Sequence, residues 1–222
     1  MRRTVKILSL VLAVAMMLGL TACGGSSSSS ASSAPADSSP ADPAAESYVV
    51  GICQLVPHVA LDAATQGFKD ALNDALPGQV EFKEGVGAGD SATCTPIVTD
   101  LVSSNVDLIL ANATGALQAA NAATEDIPIL GTSVTEYGVA LEIKDFNGTV
   151  GGNISGTSDL ASLEDQAAMI QAWFPDVETV GMLYCSAEAN SQYQVDVVKA
   201  ELEKLGYTCA LYSFSDSNDL AA

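Results

Sequence analysis

The chain has very few basic side chains. Its 222 residues include 8 lysines and arginines against 27 aspartates and glutamates, which gives a formal net charge of -19 at pH 7. Both arginines, Arg2 and Arg3, lie beside Lys6 at the N-terminus. This composition excludes a basic nucleic-acid-binding surface. Beyond the N-terminal segment it also excludes an arginine that clamps a phosphate or carboxylate with two hydrogen bonds.

Histidine is also scarce, and the cysteines show no metal-binding spacing. His58 is the only histidine, and no nucleophile–base pair accompanies it, so we predict that the chain is not an enzyme. No Cys-x-x-Cys or histidine-rich pattern occurs, so we predict neither a metal site nor a cofactor. Cys53 and Cys94 have two open interpretations: a disulfide, which an exported location permits, or small buried thiols, which we prefer. The other cysteines are Cys23, Cys185 and Cys209.

The N-terminal segment has the features of an export signal. Residues 1–6 are basic, and residues 7–20 are almost wholly apolar but too short for a comfortable membrane span. The segment ends Leu20-Thr-Ala-Cys23, which resembles the bacterial lipobox. We therefore predict a lipoprotein signal peptide over residues 1–22 and a palmitate-type lipid on Cys23, which would anchor the protein at the extracytoplasmic face of the cell membrane. An ordinary signal peptide with an incidental cysteine is the alternative.

Residues 23–47 are rich in serine, alanine, proline and aspartate and contain almost no large apolar side chain. Such a segment cannot bury enough surface to offset the entropy lost on ordering. We predict a disordered tether here and a folded region that begins near residue 48.

The folded region begins with a strand, a polar loop and an amphipathic helix. Residues 49–53 are an apolar run of strand length, and residues 54–58 are polar and contain a proline. Apolar side chains then recur at three- and four-residue steps through residues 61–75, which indicates a helix. In open α/β sheets, ligands bind at such strand-to-helix loops, so we predict that residues 54–58 form one wall of a binding site.

The same pattern repeats along the first half of the chain. Further strands are predicted at residues 80–82, 106–111 and 127–131, and polar loops at residues 112–115 and 132–135. The polar loops that follow parallel strands lie on one edge of a sheet. We assign residues 48–153 to a first α/β lobe. Within it, residues 85–89 are glycine-rich without the pattern of a phosphate-binding loop, which favours a flexible turn near the cleft.

A helix follows these glycines and contains Pro96, which lacks the backbone N–H of a helix interior. We predict that the helix either kinks at Pro96 or begins at Thr95 with Pro96 in its first position.

The second half of the chain has fewer elements. Residues 147–156 are rich in glycine and asparagine and are assigned to the crossover between lobes. Beyond it we predict helices at residues 159–174 and 192–205 and strands at residues 177–184 and 207–214. Two strands and two helices are too few to form a covered parallel sheet, so we expect residues 154–222 to be an incomplete second lobe of a truncated chain.

These elements, together with Gln54, His58, Ala60-Leu-Asp62 and Glu188-Ala-Asn-Ser191, resemble the tryptophan/tyrosine-type substrate-binding lipoproteins of ABC transporters. The resemblance spans about residues 48–222. It implies an α/β, type I periplasmic-binding-protein-like fold with two Rossmann-like lobes, parallel sheets and a hinged cleft. It also implies that the lobes close on a small molecule and present it to ABC permease subunits.

One loop departs from the family pattern. Thr132-Ser-Val-Thr135 is followed by Glu-Tyr, where relatives usually have Asp-Pro after the threonine. The resemblance implies an amino acid as the ligand, with an aromatic side chain favoured, and because of this departure a sugar or nucleoside stays as an alternative. A second alternative is a ligand-sensing lipoprotein that signals to a membrane receptor.

Candidate ligand contacts come from both lobes. An amino acid carboxylate would accept hydrogen bonds from hydroxyls and from N–H groups at helix N-termini, where the helix dipole favours anions. The carboxylate that an ammonium group needs is expected beyond Ala222, and Tyr137 or Tyr184 could stack on an aromatic ligand. The predicted ligand-binding residues are Gln54, His58, Thr114, Thr132 and Thr135 in the first lobe and Ser158, Asn190 and Ser191 in the second.

Overall fold

The structure, a computed structural model, describes residues 47–215 and Asp219. The predicted signal peptide, the lipid attachment site Cys23 and the tether up to residue 46 lie outside the described residues. In the part of the chain that is described, none of the helices combines the length and the apolar character that a membrane crossing requires.

Five strands form a parallel sheet, and four of them were predicted from the sequence. The strands are β1 Tyr48–Gln54, β2 Val80–Val86, β3 Leu108–Asn112, β4 Ile129–Val134 and β5 Ile154–Ser158. Their order across the sheet is β2-β1-β3-β4-β5, and every neighbouring pair is parallel. After β1 the chain forms β2 on one side of β1, and it then crosses to form β3 on the other side. The point between β1 and β3, where the winding direction changes, is where open α/β sheets bind ligands.

Helices connect these strands and cover the sheet. They are α1 Val59–Ala75, α2 Ser91–Ser103, α3 Thr114–Ala123 and the short α4 Tyr137–Ala140. The core is a cluster of apolar side chains from the strands and from α2 and α3, and Val98, Ile109 and Leu117 in it are fully buried. Aliphatic side chains on the strands and on one face of each helix thus bury the apolar surface that stabilises this lobe.

Helix α2 lies unusually close to the sheet because glycines face it. A Cβ atom built on Gly51 would lie 2.9 Å from Leu101 Cδ1, and one built on Gly85 would lie 2.4 Å from Ile97 Cγ2. Any larger residue at these strand positions would push the helix away, because protein cores are close-packed. The two glycines therefore set the distance between α2 and the β1–β2 pair.

The helix α2 continues through Pro96, as the first of the two predictions has it, and does not begin at Thr95. The helix begins at Ser91, after Asp90, whose carboxylate accepts a hydrogen bond from the backbone N–H of Thr93 at 2.8 Å. Pro96 therefore lies inside the helix. The aspartate cap satisfies a free N–H group of the first turn, which favours an earlier start than the proline alone suggests.

The predicted boundary between the lobes is displaced. Residues 154 onward were assigned to the second lobe, but Ile154–Ser158 pairs with β4 and forms the edge strand β5 of the first sheet. Ser158 is therefore a residue of the first lobe. The pattern was missed because β5 is polar and glycine-containing, and four of its five residues are exposed, so it lacks the apolar alternation of a half-buried strand.

A second, smaller sheet follows. It contains the parallel strands β6 Thr179–Cys185 and β7 Thr208–Phe214, with helices α5 Leu163–Trp173 and α6 Ala189–Lys204. Ala167, Leu202 and Tyr207 form its buried centre. The described part of this lobe exposes several large apolar side chains, among them Trp173, Leu183 and Tyr212. The predicted α/β class with parallel sheets in both lobes is confirmed.

Candidate functional site

One cavity of about 120 Å³ is lined by residues from both sheets. In the first lobe it is formed where the chain leaves β1, β2, β3 and β4, and in the second lobe where it leaves β6 and β7. The lining residues from the first lobe are Leu55, Gly89, Asp90, Ser91, Ala113, Thr114, Gly115, Gln118 and Ser133. Those from the second are Cys185, Ala187, Glu188, Asn190 and Ser215.

The N-terminus of α3 forms one wall of this cavity. Ala113, the residue before the helix, has φ 86° and ψ 160°, and no side chain caps the helix. Non-glycine residues rarely adopt such a positive φ, because Cβ then approaches the backbone. The backbone N–H of Ala113 donates to Thr132 O at 2.9 Å, which helps to hold this conformation. The first turn of α3 therefore presents uncapped N–H groups at the cavity wall.

Thr114 adds a hydroxyl to the same wall. It is 5% exposed and lines the cavity. Within the described residues, its side chain makes no hydrogen bond. Among the described residues, only Asn112 Oδ1 is a fully buried side-chain oxygen or nitrogen without a partner, so the Thr114 hydroxyl is accessible and can donate to a water or a ligand in the cavity. Thr114 and the α3 N-terminus together suit an anionic group such as a carboxylate.

Two carboxylates lie on the cavity, one from each lobe. Asp90 caps α2 through its bond to the Thr93 N–H, whereas Glu188 immediately precedes α6 without capping it. Within the described residues, the Glu188 side chain has no hydrogen-bond or ion-pair partner. No lysine or arginine is among the described residues that line the cavity. The cavity therefore combines a helix N-terminus for an anion with side chains that attract a cation.

A buried polar network lies at the ends of β1 and β3. Gln54 Nε2 donates to Asp62 Oδ1 at 2.7 Å, and Thr65 Oγ1 donates to Gln54 Oε1 at 2.8 Å. Asn112 Nδ2 donates to Leu61 O at 2.8 Å and to Thr65 Oγ1 at 2.9 Å. Gln54 is 3% exposed and is not among the cavity residues. The network joins α1 to the ends of the two strands between which the winding changes direction.

The structure brings two of the predicted ligand residues, Thr114 and Asn190, to the cavity. His58 is exposed and caps α1, accepting a hydrogen bond from the Ala60 N–H at 3.2 Å. Ser191 lines a groove along β6 together with Tyr184. Neither residue lines the cavity. His58 is held at the N-terminus of α1, and Ser191 lies in the first turn of α6 and faces the groove.

The remaining predicted residues lie around β4 and β5. The Ser158 hydroxyl donates to the carbonyl of Thr135 at 2.7 Å, and both residues line a hollow beside β5. Thr132 faces a separate groove beside α1. Tyr137 is buried, and its hydroxyl donates to Thr157 O at 3.1 Å, so the described structure gives it a role in packing. Thr132 lies within β4 and Ser158 ends β5, whereas Thr135 follows β4 as predicted; none of the three is among the residues that line the cavity.

The sequence did not single out several cavity residues. Asp90 and Ser91 follow the glycine-rich residues 85–89, which were interpreted as a turn near the cleft, and the aspartate cap would have marked the start of α2. Glu188 was quoted in the motif that carried the family resemblance, without a role. Ser133 lies in the polar loop predicted at residues 132–135, although it was not itself named, and Gln118 had no signal because it lies on a helix.

The family is shown by direct comparison. A model of the ABC transporter substrate binding protein family matches residues 49–222. The chain belongs to this family. A tyrosine-binding protein of Clostridioides difficile (strain R20291) is 33% identical over 229 residues, covering 99% of this chain and 64% of that protein. The predicted substrate-binding class is therefore confirmed.

Solved structures show the same fold. A Streptococcus pneumoniae ABC domain in complex with L-Trp is 32% identical, with a TM-score of 0.73 over 79% of this chain and 60% of that one. A ligand-free, open substrate-binding protein of Clostridium difficile is 34% identical, with a TM-score of 0.57 over 78% of this chain and 59% of that chain. The fold extends to a Thermotoga maritima leucine-binding protein at 13% identity and a TM-score of 0.59. This chain thus spans about three fifths of the length of the first two structures and about half of the third.

Proposed function

We propose that this protein is the extracytoplasmic solute-binding component of an ABC importer, and that its cavity binds an amino acid, with aromatic side chains favoured. The observation that carries the proposal is the unpartnered Thr114 hydroxyl beside the uncapped N-terminus of α3. The ligand carboxylate would replace the missing partner. The relatives that bind tyrosine and L-Trp support this ligand class.

The ammonium group would bind on the opposite wall, at Glu188. This carboxylate has no partner within the described residues and lines the cavity from the second lobe. A zwitterion with its carboxylate at Thr114 and its ammonium at Glu188 would contact both lobes. It would stabilise the closed arrangement of a hinged cleft, since a ligand shifts a conformational equilibrium by its differential affinity for the two states.

Thermal unfolding and calorimetry of the intact protein test the ligand class. We expect L-tryptophan or L-tyrosine to raise the melting temperature, and sugars and nucleosides not to do so. Thr114→Val removes one hydrogen bond to a charged group, worth about 1.5–3 kcal/mol, and should weaken binding about tenfold to a hundredfold. Thr208→Val, at an exposed threonine of β7, is the matched control. Equal affinity in both variants would contradict the placement of the carboxylate.

A second pair of measurements tests the ammonium position. Glu188→Gln should weaken binding of the amino acid but leave unchanged the weak binding of its deaminated analogue, which has no ammonium group. Glu178→Gln, a change at a glutamate outside the cavity lining, controls for the loss of net charge. If Glu188→Gln weakens both ligands equally, the ammonium group does not bind at Glu188.

We further propose that a lipid on Cys23 anchors the protein to the membrane. Cys23→Ala should release the protein from the membrane fraction without changing ligand affinity. A sensing lipoprotein remains the second candidate because the same cavity would serve a receptor. It would be favoured if ligand uptake persists when the gene is deleted while a ligand-dependent response is lost.

A further inference from the structure

Two buried cysteines meet beneath the cavity wall. Cys53 lies in β1 and Cys94 lies in α2, and both are 0% exposed. Both belong to the apolar core of the first lobe, and their thiols are close enough to shift each other's pKa in opposite directions. The other described cysteines, Cys185 and Cys209, lie near opposite ends of the paired strands β6 and β7.

The backbone places both cysteines between the same helix and sheet. Gly51 faces Leu101 of α2, and Cys53, two residues further along β1, points to the same face of the sheet as Gly51. Cys94, Val98 and Leu101 lie on the buried face of α2, and the glycines at 51 and 85 let that face approach β1 and β2 closely. A Cβ atom on Gly87 would lie 3.0 Å from Cys94 Sγ, so the chain after β2 also passes over this thiol without a side chain. A disulfide forms only between cysteines whose Cα atoms lie about 4.4–6.8 Å apart, and the packing of α2 against β1 is what permits this.

We propose that Cys53 and Cys94 form a disulfide when the protein folds in an oxidising environment. In the structure described here both are free thiols. A low-molecular-weight disulfide such as oxidised glutathione would be the oxidant. The thiolate of one cysteine attacks it, releases one thiol and forms a mixed disulfide, and the second cysteine then displaces the second thiol. The two cysteines are oxidised, and one disulfide of the oxidant is reduced to two thiols.

Burial determines when the reaction occurs. The contact between the two thiols raises the pKa of Cys53 and lowers the pKa of Cys94. Both side chains are fully buried, so a dissolved oxidant cannot reach either sulfur atom once the protein has folded. Oxidation therefore accompanies folding, before the core closes over the sulfur atoms. Once formed, the disulfide is protected from reductants by the same burial.

The cross-link would strengthen one wall of the cavity. It joins the end of β1 to the helix whose first residue, Ser91, lines the cavity. It also closes a loop of about 40 residues, a length for which the chain-entropy model predicts substantial stabilisation. This inference does not depend on the proposed ligand or on transport.

Refolding in a redox buffer tests the inference. The denatured, reduced full chain is refolded in a mixture of oxidised and reduced glutathione, free thiols are blocked with N-ethylmaleimide in denaturant, and the tryptic peptides are identified by mass spectrometry. Lys69 and Lys83 lie between the two cysteines. The cross-link should therefore appear as two separate peptides that are joined until reduction, while Cys185 and Cys209 carry the label. Labelling of Cys53 and Cys94, or a cross-link to another cysteine, would overturn the proposal.

Thermal unfolding gives an independent readout. Reduction should lower the melting temperature of the refolded protein by roughly 5–10 °C, given the usual effect of such a cross-link in a chain of this size. Cys209→Ala should show the same drop, and Cys94→Ala should show none. An equal response of Cys94→Ala and Cys209→Ala would contradict the proposal. If Cys94→Ala does not fold, the peptide measurement on the unchanged chain decides the matter.

Discussion

Asn112 offers the sharpest test of how the binding edge is held together. It is fully buried, its Nδ2 atom donates to Leu61 O and Thr65 Oγ1, and its Oδ1 atom has no partner within the described residues. Asn112→Asp keeps the size but replaces the donor with an oxygen that faces two acceptors. The change removes two hydrogen bonds of about 1 kcal/mol each and buries a charge, so the expected loss is about 3–5 kcal/mol at pH 7.

Urea unfolding followed by circular dichroism measures this loss. For a chain of this size a loss of about 3 kcal/mol lowers the urea midpoint by roughly 1–1.5 M. Asn121→Asp makes the same chemical change on an exposed position of α3 and should change stability by no more than about 0.5 kcal/mol. Thr65→Val, alone and combined with Asn112→Asp, would show a coupling of about 0.5–1.5 kcal/mol if the two side chains share one network.

The loss should also depend on pH. Burial raises the pKa of an introduced carboxyl group above its unfolded value of about 3.9. The folded state then binds more protons than the unfolded state between those two pKa values, so the penalty is complete above the folded pKa and diminishes as the pH falls. At pH 5 the deficit of Asn112→Asp should be smaller than at pH 7, whereas that of Asn112→Ala should not shrink. A deficit as small as that of Asn121→Asp would refute the reasoning.

Two further predictions concern Tyr137. A Cβ atom on Gly131 would lie 2.4 Å from the Tyr137 hydroxyl, so Gly131→Ala should destabilise the protein by about 1–3 kcal/mol, and adding Tyr137→Phe should recover part of this in urea unfolding. A Cβ atom on Gly156 would clash with both the Tyr137 hydroxyl and the backbone of Gly131, and the backbone clash remains when the hydroxyl is removed, so Tyr137→Phe should rescue Gly156→Ala much less; equal rescue of both would contradict this packing. Burial raises the pKa of Tyr137 from 10.0 to about 12. Stability should therefore fall between pH 10 and pH 12, by up to about 1.4 kcal/mol per pH unit, because the unfolded chain ionises first. Tyr137→Phe should remove this part of the slope in unfolding measured at alkaline pH.

The order of strands and helices could be predicted because their apolar side chains recur at distinct periods. β1 and α1 lie within one or two residues of the predicted bounds. Strand β5 could not be found in this way, since its sequence Ile-Ser-Gly-Thr-Ser is mostly polar and it lies at a sheet edge. Its place in the first sheet is decided by hydrogen bonds to β4, a contact that is distant in sequence.

The cavity was predicted in outline, at the loops that follow the strands, but its side chains were harder to predict. Thr114 and Asn190 lie there because each is at the first turn of a helix that begins at the binding edge. Gln54, although it ends β1, points towards α1 and bonds to Asp62. Successive residues of a strand point to opposite faces of the sheet. A shift of one position along the strand therefore decides whether a side chain points towards the cavity or into the core.

The glycines of the first sheet have a consequence for how such proteins diversify. At Gly51, Gly85, Gly131 and Gly156 the space for a side chain is already filled by a neighbour. Substitutions there disturb the packing of neighbouring strands and helices, whereas replacements at Ser91, Ser133 or Glu188 change the lining of the cavity. New specificities can therefore arise at the rim through single substitutions, while the strands below must be inherited almost unchanged.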